Sequence, residues 1–408
     1  KPENYDPSRY ELLLRLMEAR PDKQALNDYF IWSRMPSRKT DVNNRGGFST
    51  DMIGANHDYP EASHQERDAI IQAHKDYTLG LFYFIGHDER VPEKIRKEML
   101  KWGLPEDEYV ESGHWTPQLY IRECRRMLGE YVATQKDCEG KTTVEDWVGM
   151  AAYTMDSHNC QRIVIEKNGL AMVKNEGNVE RSVGGPFPIS YRSITPRRDE
   201  CTNLLVPAAL SASHIAYGSI RMEPVFMVLG QACGIAASIA QAKIQEVDAA
   251  DIREIMQTDP YMDGTPADII IDDADPRMTC SEGWKQTRHK GSYGPTYFHL
   301  DKTVADAFVE YDLPDTLSGQ WDIYCYQMLR DVANPKAYYK VSTPSRQSEV
   351  TYERAELRLV GQVSGEWFHL GTYDLTGGGK VRMTSDQSDL PLRADALLLV
   401  KRLSGLMK

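Results

Sequence analysis

The chain has 408 residues, 41% of them apolar, and a formal net charge of −12, a length that suits about two or three domains. No apolar run reaches the ~18–20 residues that a bilayer span needs. Basic residues are not clustered with aromatics, so nucleic acid is not an expected partner, and the seven cysteines lack any C-x-x-C pair, which argues against a disulfide scaffold or a structural zinc.

Residues 1–135 read as mostly helical. Residues 8–19 are amphipathic, and 61–85 place Ile70, Ile71, His74, Tyr77, Leu81 and Phe84 near helical spacing. Residues 92–102 open on a proline and are followed by Gly103, a suitable C-cap. A further helix is expected over 116–131, carrying Arg122, Arg125 and Arg126. His57, His64, His74 and His87 are scattered without H-E-x-x-H or comparable spacing, so they are expected at the surface or in the core, with no metal site.

Residues 160–200 switch to strands, with a hairpin turning at Lys167-Asn168-Gly169. Residues 203–208 read as a strand that passes through a Ser/His/Gly-rich loop into a long helix over 222–240. Glu223 and Pro224 suit that helix's first turn. Gly230, Gly234, Ala237 and Gln241 give it a face of little bulk, and Val225, Phe226, Val228, Leu229 and Ile235 cover the rest, so it is expected to be buried nearly all round. A buried N-terminus leaves N–H groups that need an acceptor, which a cofactor oxygen or the preceding loop can supply.

A short helix is expected at 249–257. Over 269–403, alternating segments such as ADAFVEYDL, QWDIYCYQML, KAYYKVS, RAELRLVG, EWFHLGTYDL and DALLLVKR predict an all-β sandwich. Residues 376–380, TGGGK, lack P-loop spacing and read as a hairpin turn. Trp284, Tyr293, Tyr297, Trp321 and Trp367 are either a sugar-stacking platform or core aromatics.

The run PISYRSITP followed by NLLVPAALSASHIAYGSIRMEPVFMVLGQACGIAA resembles the flavin-facing segment of FAD-dependent oxidoreductases related to fumarate reductase and succinate dehydrogenase flavoproteins. The matching residues are Tyr191, Arg192, Ser193, Pro196, Ser211, His214, Gly218, Ser219, Arg221, Pro224, Met227, Gly230, Gln231, Ala232 and Gly234. The segments DVNNRGGFSTDMIG, HWTPQLYIRECRRMLGEYV and GMAAYTMDSHNCQR extend the likeness over about residues 30–245. The family's opening G-x-G-x-x-G turn, which cradles the FAD pyrophosphate, does not occur in the chain. The expectation is therefore the C-terminal part of a longer flavoprotein, which would not hold FAD tightly by itself. Residues from 269 onward, IIIDDADPRMTCSEGWKQTRHKGSYGPTYFH and WFHLGTYDLTGGGKVRMTSDQSDLPLRADALLLVKR, resemble the golvesin-type or xanthan-lyase-associated C-terminal domain. That resemblance implies an exported protein, periplasmic or extracellular, that deals with carbohydrate.

The resemblance gives several residues candidate roles. His214 would donate to a flavin or substrate oxygen or move a proton; otherwise it caps the following turn. Arg221 and Arg192 suit carboxylate or phosphate oxygens, or pair with a nearby acid such as Glu223. Asp156 and His158, two apart, would share a strand face as a proton relay or a structural pair. Tyr191 would contact substrate or simply pack. The residues expected to lie on FAD are Ser211, Ser213, Gly218, Ser219, Gly230, Gln231 and Ala232.

The expected fold class is α+β. Residues 1–258 would be a partial oxidoreductase domain lacking its Rossmann segment, with a helical substrate or cap region at 1–150 and a flavin-facing segment at 151–245. Residues 268–408 would be a β-sandwich. The leading functional reading is hydride transfer between FAD and a small organic or carbohydrate-derived substrate. The alternatives are a carbohydrate-binding or cell-surface module and, last, a polysaccharide lyase, for which no Tyr/His/Arg/Asn set stands at recognisable spacing.

Overall fold

The computed structural model describes residues 1–402 except 49, 121, 124, 289–291, 295, 302–305, 329–335, 354–364 and 385–391. The expected strand at RAELRLVG lies outside the described residues. The chain divides into two compact units, Lys1–Ile252 and Arg253–Lys408.

The first unit opens with α1 (Glu11–Glu18), β1 (Phe30–Arg34), β2 (Thr40–Asn44), α2 (His64–His87) and α3 (Glu93–Met99). α2 starts on a capping box: the Ser63 hydroxyl accepts from the Glu66 N–H at 3.4 Å, and the Glu66 carboxylate accepts from the Ser63 N–H at 2.8 Å. Leu13, Leu14 and Met17 of α1 pack with Leu81, Phe84 and Ile85 of α2 and Ile95 and Met99 of α3 in one buried cluster. Gly80 faces the Tyr10 hydroxyl, with which a Cβ would collide.

The second half of this unit contains α4 (Gln135–Cys138), β3 (Trp147–Ala151), β4 (Met155–Ser157), β5 (Gln161–Lys167), β6 (Leu170–Glu176), β7 (Val179–Arg181), β8 (Phe187–Ser190), α5 (His214–Ile220) and α6 (Glu223–Ile239). The strands form separate antiparallel pairs, β3 with β8, β4 with β7 and β5 with β6. The β5–β6 hairpin turns at Asn168-Gly169, both with positive φ. α7 (Ala249–Thr258) follows.

Three sequence expectations for this unit are corrected. Residues 116–131 form no helix among the described residues, because the backbone there bonds to distant segments: Met127 N–H to Ala209 O at 2.8 Å and Tyr131 N–H to Arg192 O at 3.2 Å. Gly129 fits between the Arg192 and Thr195 carbonyls, which leave no room for a Cβ. Residues 203–208 are not a strand; Val206 N–H bonds Ile194 O, and Leu204 is exposed. α6 is buried on one face only: Leu229, Ala232 and Ile235 are inside, while Met227 is 74% exposed and Glu223 and Pro224 of the first turn are also exposed.

The second unit is a two-sheet β structure of β9 (Ile269–Ile271), β10 (Met278–Cys280), β11 (Lys285–Arg288), β12 (Thr296–Leu300), β13 (Phe308–Leu313), β14 (Gln320–Met328), β15 (Lys336–Ser342), β16 (Gln347–Glu353), β17 (Gly365–Asp374), β18 (Gly379–Thr384), β19 (Leu392–Ala394) and β20 (Leu397–Lys401). A five-stranded sheet in the order β10-β13-β18-β15-β16 faces a four-stranded sheet in the order β17-β14-β20-β9, and β11-β12-β19 form a smaller sheet. Inward residues of both large sheets, among them Val309, Tyr311, Val341 and Val381 against Trp321, Ile323, Leu397 and Leu399, make the core. The chain is thus α+β, with a β-sandwich as its second unit. The TGGGK turn joins β17 to β18 in different sheets, so it is an inter-sheet connection and not the expected hairpin. Among the described residues no single helix is long and apolar enough to cross a membrane; α5 and α6 pass that test only as a pair bent by 90°. The described cysteines are free.

Candidate active site

α5 sets the geometry. Ser213 caps it by accepting from the Ala216 N–H, and His214 begins it. Its inner face lies against β4, where a Cβ on Gly218 would stand 2.9 Å from the Asp156 carbonyl oxygen. The Ser219 hydroxyl donates to the Tyr153 carbonyl at 2.5 Å. This packing carries Arg221, the C-cap residue, to Asp156: guanidinium Nη2 to carboxylate Oδ2 is 3.1 Å. Arg122 approaches the same carboxylate at 3.9 Å, and the Tyr153 ring lies 5.9 Å from the Arg221 guanidinium. Arg221 is only 8% exposed, and its Nε has no hydrogen-bond partner among the described residues. A buried donor left over beside two cationic groups suits an anionic oxygen brought by a ligand.

A second station stands at the other end of α5, about 10 Å away by helical rise. His214 Nδ1 is 2.6 Å from Glu123 Oε2, and Arg126 reaches the same oxygen at 3.4 Å. A carboxylate only accepts, so Nδ1 donates this hydrogen bond and Nε2 is the ring nitrogen left for another partner. His158 Nδ1 is likewise 2.5 Å from Asp51 Oδ2. Asp156 and His158 are therefore not a pair with each other: Asp156 serves Arg221, and the acid on His158 is Asp51.

The same unit has an open cleft of about 1390 Å³. Lys39, Trp102, Trp115, Tyr120 and Glu223 are among its walls. Of these, Tyr120 has its ring 5.3 Å from the Arg122 guanidinium, while Arg122, Asp156 and Arg221 themselves are not among the cleft's walls.

The remaining sequence candidates lie elsewhere. Arg192 is occupied by Asp146, Nε to Oδ2 at 3.0 Å. Burial pushes the Asp146 carboxyl up, but its bonds from Arg192 and Ser190 outweigh this and hold it below the ordinary range. Tyr191 is buried, with its hydroxyl on the Ile244 carbonyl at 2.7 Å. Ser211 and Ser219 are fully buried and Gly218 is packed on Asp156, so the structure places these three inside the protein and not on a surface. Ala232 is also buried, whereas Gly230 and Gln231 are partly exposed on α6. Among the described residues no cluster of His, Cys, Asp and Glu is arranged to hold a metal ion. His57, His74 and His87 each bond a backbone carbonyl.

Sequence reasoning missed Asp51, Glu123 and Tyr153. Asp51 carried a signal, since it falls in the DVNNRGGFSTDMIG segment. Glu123 was hidden inside the expected helix.

Comparison with known proteins bears on both units. Residues 1–258 match the family described as FAD dependent oxidoreductase, and residues 269–401 match the Golvesin C-terminal domain. No curated protein matches the chain. Among solved structures, a xanthan lyase from Paenibacillus is similar at 16% identity and a TM-score of 0.29, over 62% of this chain and 21% of the lyase. The chain thus spans about a fifth of that enzyme's length, 21%. A family 35 carbohydrate binding module from Clostridium thermocellum is similar at 11% identity and a TM-score of 0.24, over 33% of this chain and 98% of the module. The CBM35 of Cellvibrio japonicus Abf62 is similar at 13% identity and a TM-score of 0.24, over 34% of this chain and 95% of the module.

Proposed function

The chain belongs to the FAD dependent oxidoreductase family, and from that membership we propose that its first unit supplies the substrate side of a flavin-dependent redox site. The substrate would be a small organic or carbohydrate-derived molecule with an anionic oxygen, held by Arg221 and Arg122. The observation that carries this reading is Arg221 itself, 8% exposed and with an unpartnered Nε.

The residues fit one half of an FAD site and not the other. The buried leftover donor of Arg221 and the partly exposed Gly230, where a Cβ would meet open space, suit a flat, oxygen-bearing ligand. Nothing in the sequence offers a G-x-G-x-x-G cradle for the pyrophosphate, and Ser211 and Ser219 are buried. Bound FAD supplies hydride chemistry in such an enzyme. This chain's residues do the rest: Arg221 and Arg122 orient the anionic group, Asp156 fixes both guanidinium groups, and His214 and His158 each hold a proton at Nδ1 against a carboxylate. His214 Nε2, on a half-exposed side chain, is the acceptor for a substrate proton.

The match to the Golvesin C-terminal domain supports a periplasmic or extracellular setting. The test of the redox reading is a visible spectrum of the gene product that carries this chain, purified and then incubated with excess FAD. Bands at about 370 and 450 nm that survive gel filtration are expected; a colourless protein would remove the reading.

A further inference from the structure

The outward face of the four-stranded sheet carries a strip of side chains that the core does not use. Along β14, Trp321, Ile323, Cys325 and Gln327 point inward and are buried, while Asp322, Tyr324 and Tyr326 point outward and are partly exposed. β17, the edge strand, sets Trp367 opposite Tyr326, His369 opposite Tyr324 and Thr372 opposite Asp322. A bulge at Leu370 keeps both halves of β17 in phase with β14, so all three partners share the outer face.

Three stations follow one another, each two residues and about 7 Å further along the strands. The first is a ring cluster. The Tyr326 and Trp367 centroids are 5.2 Å apart, and Tyr293, from the connection before β12, lies 5.2 Å from Trp367 and 5.8 Å from Tyr326. Tyr293 is 43% exposed. The second is the Tyr324–His369 pair, with centroids 4.8 Å apart. The third is polar: Asp322 accepts from Thr372 Oγ1 at 2.5 Å and from Arg402 Nε at 2.9 Å, and His369 Nε2 stands 3.2 Å from it. Arg402 remains 59% exposed at its side chain.

A sugar ring has one face of C–H groups and a rim of hydroxyls. Aromatic rings cover the first, and carboxylate, guanidinium and imidazole groups bond the second. A partly exposed ring cluster running into such a polar group matches that alternation along a sugar chain. Single-stranded nucleic acid also stacks on aromatics, but it needs a basic track. Here the strip carries Asp322 against Arg402 and His369, on a chain of net charge −12. We propose that the outer face of β14 and β17 is a carbohydrate-binding site that engages a short stretch of polysaccharide, with Trp367, Tyr326 and Tyr293 as the stacking rings and the Asp322–Arg402 end bonding hydroxyls. The site is independent of the redox reading of the first unit. It uses only Tyr293 and Trp367 of the five aromatics singled out in the sequence. Trp321 and Tyr297 are buried, and Trp284 packs against the core.

The test is native affinity electrophoresis of the full chain through gels containing hydroxyethylcellulose, galactomannan or xanthan, with Tyr293→Ala, Trp367→Ala and Trp367→Phe alongside. Retardation of the wild type is expected in at least one gel, weakened roughly tenfold by Tyr293→Ala and by Trp367→Ala and largely kept by Trp367→Phe. Tyr293 lies on a connection and is well exposed, so its removal tests the site even if Trp367→Ala fails to fold. No retardation in any of the three gels, or retardation unchanged in Tyr293→Ala, would overturn the proposal.

Discussion

Arg221 and Asp156 stand 65 residues apart in the chain and 3.1 Å apart in space. The arginine side chain is 6% exposed and the carboxylate 21%, so the two depend on each other unequally. Asp156 also has Arg122 at 3.9 Å, whereas Arg221 has no second carboxylate among the described ion pairs. Asp156→Ala is therefore expected to destabilise the first unit by about 3 kcal/mol, because it strands a buried cation. Arg221→Met leaves a carboxylate that still has a partner and water, and is expected to cost roughly 1 kcal/mol. Urea unfolding followed by circular dichroism checks the order; equal losses would contradict it.

Two helical glycines separate close packing from open space. A Cβ at Gly218 would stand 2.9 Å from the Asp156 carbonyl oxygen and 3.1 Å from its nitrogen, and that backbone has little room to retreat. Gly218→Ala is expected to cost about 1–3 kcal/mol and to displace Arg221 from Asp156. A Cβ at Gly234 meets nothing within 4 Å. Gly234→Ala is expected to stabilise the free chain by up to about 1 kcal/mol through helix propensity. Thermal melts of the two variants check this, and a loss in both would show that the α6 face is covered.

Much of this fold is legible in the sequence because its signals are local. The Ser63–Glu66 capping box, the Asn168-Gly169 turn and the period-two runs of β13, β14 and β15 each need only neighbouring residues. The site is less legible because its pairs are distant: His158 and Asp51 are 107 residues apart, and His214 and Glu123 are 91 apart. Residues 116–131 read as a helix, yet Met127, Glu130 and Tyr131 donate their N–H groups to carbonyls at 192–209 instead. The sequence of α6 could not disclose that its small-residue face stands open, since small residues serve close packing and open space alike.

The second unit should lose stability as pH rises towards neutrality. Burial pushes the Asp395 carboxyl up to about 7, against bonds from the Tyr293 and Ala396 N–H groups, with Asp272 and Asp273 adding to the rise. Burial raises Asp272 as well. Between about 4 and 7 the unfolded chain has ionised Asp395 while the folded one still holds its proton, so the folded state binds more protons and stability falls with pH. The full span for Asp395 is on the order of 4 kcal/mol. Above about 7 the loss is complete. Melting of this unit measured from pH 5 to 8 should show the decline, and Asp395→Asn should flatten it.

The most direct test of the account is a titration of the flavin-loaded protein with malonate as a probe anion, read at the flavin band near 450 nm. A saturable perturbation is predicted for the wild type, with the midpoint moved at least roughly tenfold higher in Arg221→Gln, the value of one charge-assisted hydrogen bond. The same midpoint in both proteins would contradict the placement of Arg221 at the substrate side of a redox site.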